Sequence, residues 1–114
     1  MKDCLFCQIV AGTIPAAIVY ENESVLAFED VRPQAPVHVL VIPKLHVASV
    51  QDVGATDAAL LGDLLVCCTK IAEHKGISDA GYRLVTNTGR NAGQTVFHLH
   101  FHVLGGRAMT WPPG

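Results

Sequence analysis

The stretch Val96-Phe97-His98-Leu99-His100-Phe101-His102-Val103-Leu104 alternates apolar and histidine side chains. Successive side chains on a β-strand point to opposite faces. The alternation therefore predicts a strand over Val96 to Leu104, with Phe97, Leu99, Phe101 and Val103 turned toward a core and His98, His100 and His102 turned the other way. Alternate residues on a strand lie about 6.5–7 Å apart, so one face would carry a row of imidazoles. A half-buried strand with an incidental histidine face is the plain alternative, but three of the chain's six histidines fall within the five residues 98–102 and in phase. An imidazole titrates near pH 6.5 and can act as nucleophile, acid or metal ligand near neutrality. The row points to chemistry or to metal.

The loop Asn87-Thr88-Gly89-Arg90-Asn91-Ala92-Gly93-Gln94-Thr95 runs directly into this strand. Its two glycines allow backbone N–H groups to approach a ligand, as in loops that cradle phosphate. No carboxylate falls within the strand or just before it, whereas a catalytic zinc site often has one as general base. The combination suggests a phosphate presented to imidazole.

Outward from this segment the pattern is mixed. The first ten residues, with Leu5, Phe6, Ile9 and Val10 apolar, suit a short amphipathic helix that Gly12 stops. Ile18 to Tyr20 and Val25 to Phe28 flank a polar Glu21-Asn22-Glu23 and read as a hairpin. Pro33 and Pro36 make Arg32 to Pro36 a loop. Val37 to Ile42 reads as a buried strand that Pro43 closes. Residues 56–75 form the main helix, with Leu60, Leu61, Leu64, Cys67, Cys68 and Ile71 on one face and Gly76 just past its end. Arg83 to Thr86 is a further strand, and Trp111-Pro112-Pro113-Gly114 is an irregular tail. Short connections favour antiparallel pairing, so the expected class is α+β, a sheet with helices packed on one face.

Composition limits the possible partners. At 114 residues the chain suits a single domain over 1–114, and half of its residues are hydrophobic, enough to bury surface against a second subunit as well. The formal net charge of −2 and the scattered lysines and arginines argue against nucleic acid and against an anionic membrane surface. Residues 1–12 lack the apolar segment of a secretory leader, and no apolar run approaches the roughly 20 residues needed to span a bilayer. A cytoplasmic protein with Cys4, Cys7, Cys67 and Cys68 reduced is expected.

Gly93-Gln94-Thr95 through Gly105-Gly106-Arg107 resembles the signature of the histidine triad family, His-x-His-x-His followed by apolar residues. Phe28-Glu29-Asp30-Val31-Arg32-Pro33-Gln34-Ala35-Pro36-Val37-His38 and Val41-Ile42-Pro43-Lys44 resemble its other blocks, and the Trp-Pro-Pro-Gly ending is similar to that of the Hint branch, the purine nucleoside phosphoramidases. The resemblance implies a homodimer with a five-stranded antiparallel sheet, one long helix and one short helix per subunit. It implies hydrolysis of the P–N bond of adenosine or guanosine 5′-monophosphoramidates, with no cofactor for catalysis and purine nucleoside monophosphate as the bound product.

By the same resemblance His100 is the nucleophile and forms a nucleotidyl-histidine. His102 contacts phosphate oxygens, His98 orients its neighbours, and His38 lies behind the nucleophile. Thr95 serves the phosphate or leaving group, and Gln94, Gly93 and Asn87 lie on the phosphate side. Asp30 accepts the ribose hydroxyls, Phe6, Ile9, Phe28, Val31 and Leu40 sandwich the purine, and Trp111 reaches the partner's site. On pattern alone Asp30 could equally cap a turn, Phe28 and Leu40 would be core in almost any fold, and Asn87 could be an ordinary turn residue. Dinucleoside polyphosphate hydrolysis or nucleotidyl transfer is an alternative that the tail argues against. A non-catalytic nucleotide-binding scaffold and a metalloenzyme with His100 and His102 as ligands are further alternatives.

Cys4-Leu5-Phe6-Cys7 has the C-x-x-C spacing of half a zinc site. The family resemblance adds His46 and His98, giving a structural Cys2His2 zinc. The alternative is that both cysteines are small core residues of the N-terminal helix.

Overall fold

The computed structural model describes residues 3–114. Met1 and Lys2, part of the stretch expected to form the first helix, lie outside the described residues. Helix α1 spans Leu5–Ala11. The Cys4 sulfur caps it by accepting the Cys7 N–H at 3.3 Å. Gly12 ends it in the left-handed region at φ 80°, a conformation open to glycine at little cost. Strands β1 (Ile18–Glu21) and β2 (Val25–Glu29) form the expected hairpin. The Asn22 carboxamide oxygen closes its turn by accepting the N–H groups of Ser24 and Val25.

Strand β3 is Val37–Pro43, helix α2 is Ala58–His74, and strands β4 and β5 are Tyr82–Val85 and Phe101–Gly105. The five strands are antiparallel throughout, in the order β1-β2-β3-β5-β4. Among the described residues no helix is long and apolar enough to cross a membrane.

Two expectations are corrected. First, the helices do not share a face. Strands β2 and β3 are apolar on both sides. Val25, Ala27, Val39 and Val41 pack with Leu64, Cys68 and Ile71 of α2, while Leu26, Phe28, Leu40 and Ile42 pack with Phe6 of α1. Each helix covers one face because a central strand with two apolar faces needs both covered.

Second, the strand predicted over Val96 to Leu104 is regular only from Phe101. Leu99, Phe101 and Val103 do enter the α2-side core, but Phe97, expected inside, is 59% exposed. The preceding segment cannot continue the ladder because its backbone groups are engaged elsewhere. The Leu99 N–H bonds to the Val47 carbonyl at 2.6 Å, the His98 carbonyl accepts from the His100 ring, and the His100 carbonyl accepts from the Thr86 hydroxyl.

Candidate active site

The three triad histidines lie on the α1 side of the sheet but have three different surroundings. His102 belongs to β5, opposite Leu40 of β3 and Val85 of β4. His100 stands one residue before the strand, its ring centroid 5.0 Å from that of His102. His98 is fully buried and its ring turns away toward Cys4, Cys7 and His46. His98 and His100 are joined through backbone: the His100 Nδ1–H donates to the His98 carbonyl at 2.7 Å. A side-by-side row of three imidazoles is therefore replaced by a pair, with the third ring acting from below.

Hydrogen-bond partners fix the protons on these rings. His98 donates from Nε2 to the Pro43 carbonyl at 2.8 Å, which leaves its Nδ1 lone pair directed at the Cys4 and Cys7 sulfurs. His100 carries its proton on Nδ1, so its Nε2 lone pair is available for attack. His38, on β3, accepts the Gln34 N–H at Nδ1 (3.0 Å). Its Nε2 lies 2.8 Å from His102 Nδ1 and 3.3 Å from Asp30 Oδ2. Burial is the first cause that holds all four rings below the ordinary imidazole pKa. For His102 the neighbouring His100 and His38 add to burial and push the pKa down to about 4. For His38 and His100 the Asp30 carboxylate opposes the effect. Asp30, His38 and His102 lie close enough together to hold a metal ion. The lone pair of a neutral His38, however, is occupied by the Gln34 N–H, so the cluster is a hydrogen-bonded chain.

A cavity of about 360 Å³ opens beside this pair. Phe6, Ile9, Phe28, Val31 and Leu40 form its apolar walls, and Asp30, Thr95, His100 and His102 supply its polar side. Phe6 meets Phe28 edge-on at 5.4 Å and His100 at 5.1 Å, so α1 is a wall of the cavity and a packing surface for the His100 ring. Val31 is almost fully exposed at the rim. Apolar walls with a few convergent polar groups are the usual character of a small-molecule site. The Asp30 carboxylate also holds its own loop, Oδ1 accepting the Arg32 N–H at 2.8 Å.

Other residues named from the sequence lie apart from this lining. The Gln94 side chain is buried and bonds to Gly89, Ala48 and Val96, so it pins the loop. Asn87 and Gly93 lie in the same loop, outside the cavity lining. Trp111 is exposed in the tail, where the Arg83 guanidinium lies 6.0 Å from its ring and bonds to the neighbouring Thr110 carbonyl.

Cys4, Cys7, His46 and His98 converge as a second cluster, with all four ligand atoms within 4.8 Å of one another. His98 Nδ1 lies 3.3 and 3.5 Å from the Cys4 and Cys7 sulfurs, and His46 Nδ1 lies 3.3 Å from the Cys7 sulfur. Zinc–sulfur and zinc–nitrogen bonds of about 2.3 and 2.0–2.1 Å at the tetrahedral angle separate S and N by about 3.5 Å. The donor set fits that geometry, and the Pro43 carbonyl on His98 Nε2 is the outer partner that a ligating histidine takes. Burial, followed by the neighbouring Cys4 thiol, pushes the Cys7 thiol pKa up. Cys67 and Cys68 are free thiols on the buried face of α2 and stand apart from this cluster.

Sequence reading missed the groups whose hydrogen bonds run to or from backbone: the Gln34 amide, the Pro43 carbonyl and the Thr86 hydroxyl, which donates to the His100 carbonyl. No side-chain pattern announces a backbone donor. The clearest available signal was the placement of Pro33 and Pro36, which leaves only Gln34 and Ala35 with N–H groups between them. Leu5, Ile14, Pro15 and Ala16 also line the cavity, and their apolar character alone did not distinguish them from ordinary packing residues.

A model of the HIT domain matches residues 11–109. A HIT-like protein of Synechococcus elongatus, described as uncharacterized, is 53% identical over 113 residues, covering 99% of this chain and 98% of its own length. The purine nucleoside phosphoramidase of Escherichia coli K12 is 44% identical over 108 residues, covering 95% of this chain and 91% of that protein. A crystal structure of a HIT family hydrolase from Legionella pneumophila superimposes with a TM-score of 0.97 at 53% identity, covering 98% of this chain and all of that one. With its five-stranded antiparallel sheet and its histidine pair in the same frame, the chain belongs to the HIT family.

Proposed function

We propose that this protein hydrolyses the P–N bond of purine nucleoside 5′-monophosphoramidates, with His100 as nucleophile. The observation that carries the reading is the His100 ring, whose Nδ1–H is held by the His98 carbonyl at 2.7 Å, leaving the Nε2 lone pair unprotonated on a residue that lines a cavity with apolar walls and a carboxylate. Burial keeps the ring neutral, as attack requires. The resemblance to the Escherichia coli phosphoramidase supports the substrate class.

In the first step a bond forms between His100 Nε2 and the α-phosphorus, the P–N bond breaks, and the amine leaves with a proton taken from solvent water. In the second, a water oxygen bonds to phosphorus, the P–Nε2 bond breaks, the water's proton passes to solvent, and the nucleoside monophosphate and neutral His100 are released. His102 and Thr95 face the phosphate oxygens, Asp30 takes the ribose hydroxyls, and the purine lies between Phe6, Ile9, Phe28, Val31 and Leu40.

The second cluster is read as a structural zinc site of Cys4, Cys7, His46 and His98. With four protein ligands it leaves no open position for substrate, so the metal stays outside the reaction. It ties α1, and with it Phe6, to the segment that carries His100. A homodimer is supported by the apolar groups left exposed on α2, Leu65 and Val66, by the open edge of β4, and by the exposed Trp111 beside it. Sedimentation velocity at micromolar concentration should give a dimer, and a monomer would rule that assembly out.

Rapid quench with an adenosine phosphoramidate, followed by intact-protein and peptide mass spectrometry, should find a nucleoside monophosphate adduct on His100. His100→Ala should bind the monophosphate yet lose several orders of magnitude in turnover. An adduct on another residue, or near-normal turnover of the variant, overturns the mechanism.

Protein purified without chelator should contain one zinc per subunit. Removing the zinc should lower Tm, because binding energy at such a site is folding energy. Elemental analysis without zinc would refute the assignment.

The buried histidines also set a pH dependence. His102 has a folded pKa near 4 against 6.5 for the free side chain, and His38 is lowered as well. A lowered folded pKa contributes stability that is present above pH 6.5 and is lost as pH falls toward the folded value. Tm should therefore decline from about pH 6.5 toward pH 4, while the His102 ring resonance stays at its neutral position until the lower end of that range. Titration of His102 near pH 6.5 would contradict this.

A further inference from the structure

His102 lines the cavity and meets His38 through Nδ1, so the position of its single proton decides whether its Nε2 is a donor or a lone pair. We infer that the backbone amide of Gln34, acting through His38, fixes that proton on Nε2 and makes His102 a neutral hydrogen-bond donor to the substrate's phosphoryl oxygens. The catalytic consequence rests on the function proposed above; the proton's position does not.

His38 Nε2 and His102 Nδ1 are 2.8 Å apart, a distance at which two neutral imidazoles share one proton. Either ring could donate. The other end of His38 settles the direction. Gln34 N–H points at Nδ1 from 3.0 Å, and a backbone amide can only donate, so Nδ1 must keep its lone pair and the proton of neutral His38 sits on Nε2. Asp30 Oδ2, 3.3 Å from the same Nε2, favours a proton there as well. His38 therefore donates, His102 Nδ1 accepts, and the remaining His102 proton is on Nε2. The reverse arrangement would set a lone pair against anionic oxygens.

The Gln34 peptide is held from several sides. Its carbonyl accepts from Arg107 Nε at 3.1 Å, and its side-chain amide bonds back to the Arg32 carbonyl at 3.0 Å. The Arg32 N–H is in turn held by Asp30, and Pro36 packs closely over Gly106, where an added Cβ would lie 2.8 Å from the proline ring. Pro33 and Pro36 offer no N–H of their own. The Gln34 side chain has no part in the chain of protons, which makes Gln34 a positioning residue through its backbone alone. His38 and His102 are both kept neutral by their surroundings, so the donor at Nε2 is available without a cation.

The test is the nitrogen NMR spectrum of the wild-type protein as purified, with His102 assigned through long-range couplings to its ring protons. Nε2 should show the shift of a protonated nitrogen and Nδ1 that of an unprotonated one. The opposite pattern overturns the inference. Gln34→Pro, which deletes the amide hydrogen, should shift His102 toward a mixture of tautomers and lower kcat/KM by about tenfold to a hundredfold, the scale of one hydrogen bond to a charged group. Gln34→Ala, which keeps the amide, should match wild type in both readouts. An unchanged His102 tautomer in folded Gln34→Pro removes Gln34 from the chain. Should that variant not fold, His38→Phe tests the same chain one link on, and an unchanged tautomer there is equally fatal. The expected tautomer together with no phosphoramidate turnover leaves the inference standing and counts against the proposed function instead.

Discussion

The backbone and ring of His98 are the fixed point of this molecule. The residue is fully buried, and three of its polar groups are engaged at once: Nε2 with the Pro43 carbonyl, Nδ1 with the Cys4 and Cys7 sulfurs, and its carbonyl with the His100 ring. A buried imidazole without partners would cost several kcal/mol. Here each engagement also does something for a neighbour. The end of β3, the N-terminus of α1 and the orientation of His100 are set by a single side chain and its own peptide.

The rest of the site depends on water being kept away from the histidines. Phe6 of α1 packs edge-on against the rings of His98 and His100, and the pKa values of His38, His98, His100 and His102 are lowered chiefly by burial. Helix α1 has only seven residues, too short to be stable by itself. It stays in place through Phe6, which packs on Phe28, and through the cysteines that flank Phe6 and reach His98 and His46. One wall of the cavity is thus fastened by the same cluster that fixes the histidine segment.

Much of the architecture was legible along the chain because it is local. Gly12 and Gly76 end their helices, the β1–β2 hairpin follows its polar turn, and β3 ends at Pro43 as its sequence implies. The apolar face of α2 meets the sheet as its spacing requires. The errors arose where a local pattern had two physical solutions. Alternation over residues 96–104 is compatible with a strand, yet the hydrogen bonds that a strand needs before Phe101 are taken by Val47, by Thr86 and by the His100 ring.

For the site, the sequence by itself determined the chemistry available: an in-phase set of histidines, a C-x-x-C, a glycine-bearing loop and a carboxylate ahead of a proline-rich turn. Those follow from residue type and spacing, which sequence carries in full. Tertiary structure alone decided the division of labour. The side chains of His98 and His100 are identical, but one ring enters the cysteine cluster and the other enters the cavity, because the distant Pro43 carbonyl aims the first while the His98 carbonyl and the Phe6 ring of α1 hold the second. The proton on each ring, and hence its role, is set by partners such as Pro43 and Gln34 that act through backbone atoms every residue possesses in some form. Such atoms leave no signature in a sequence, and only the folded chain brings them within hydrogen-bonding distance.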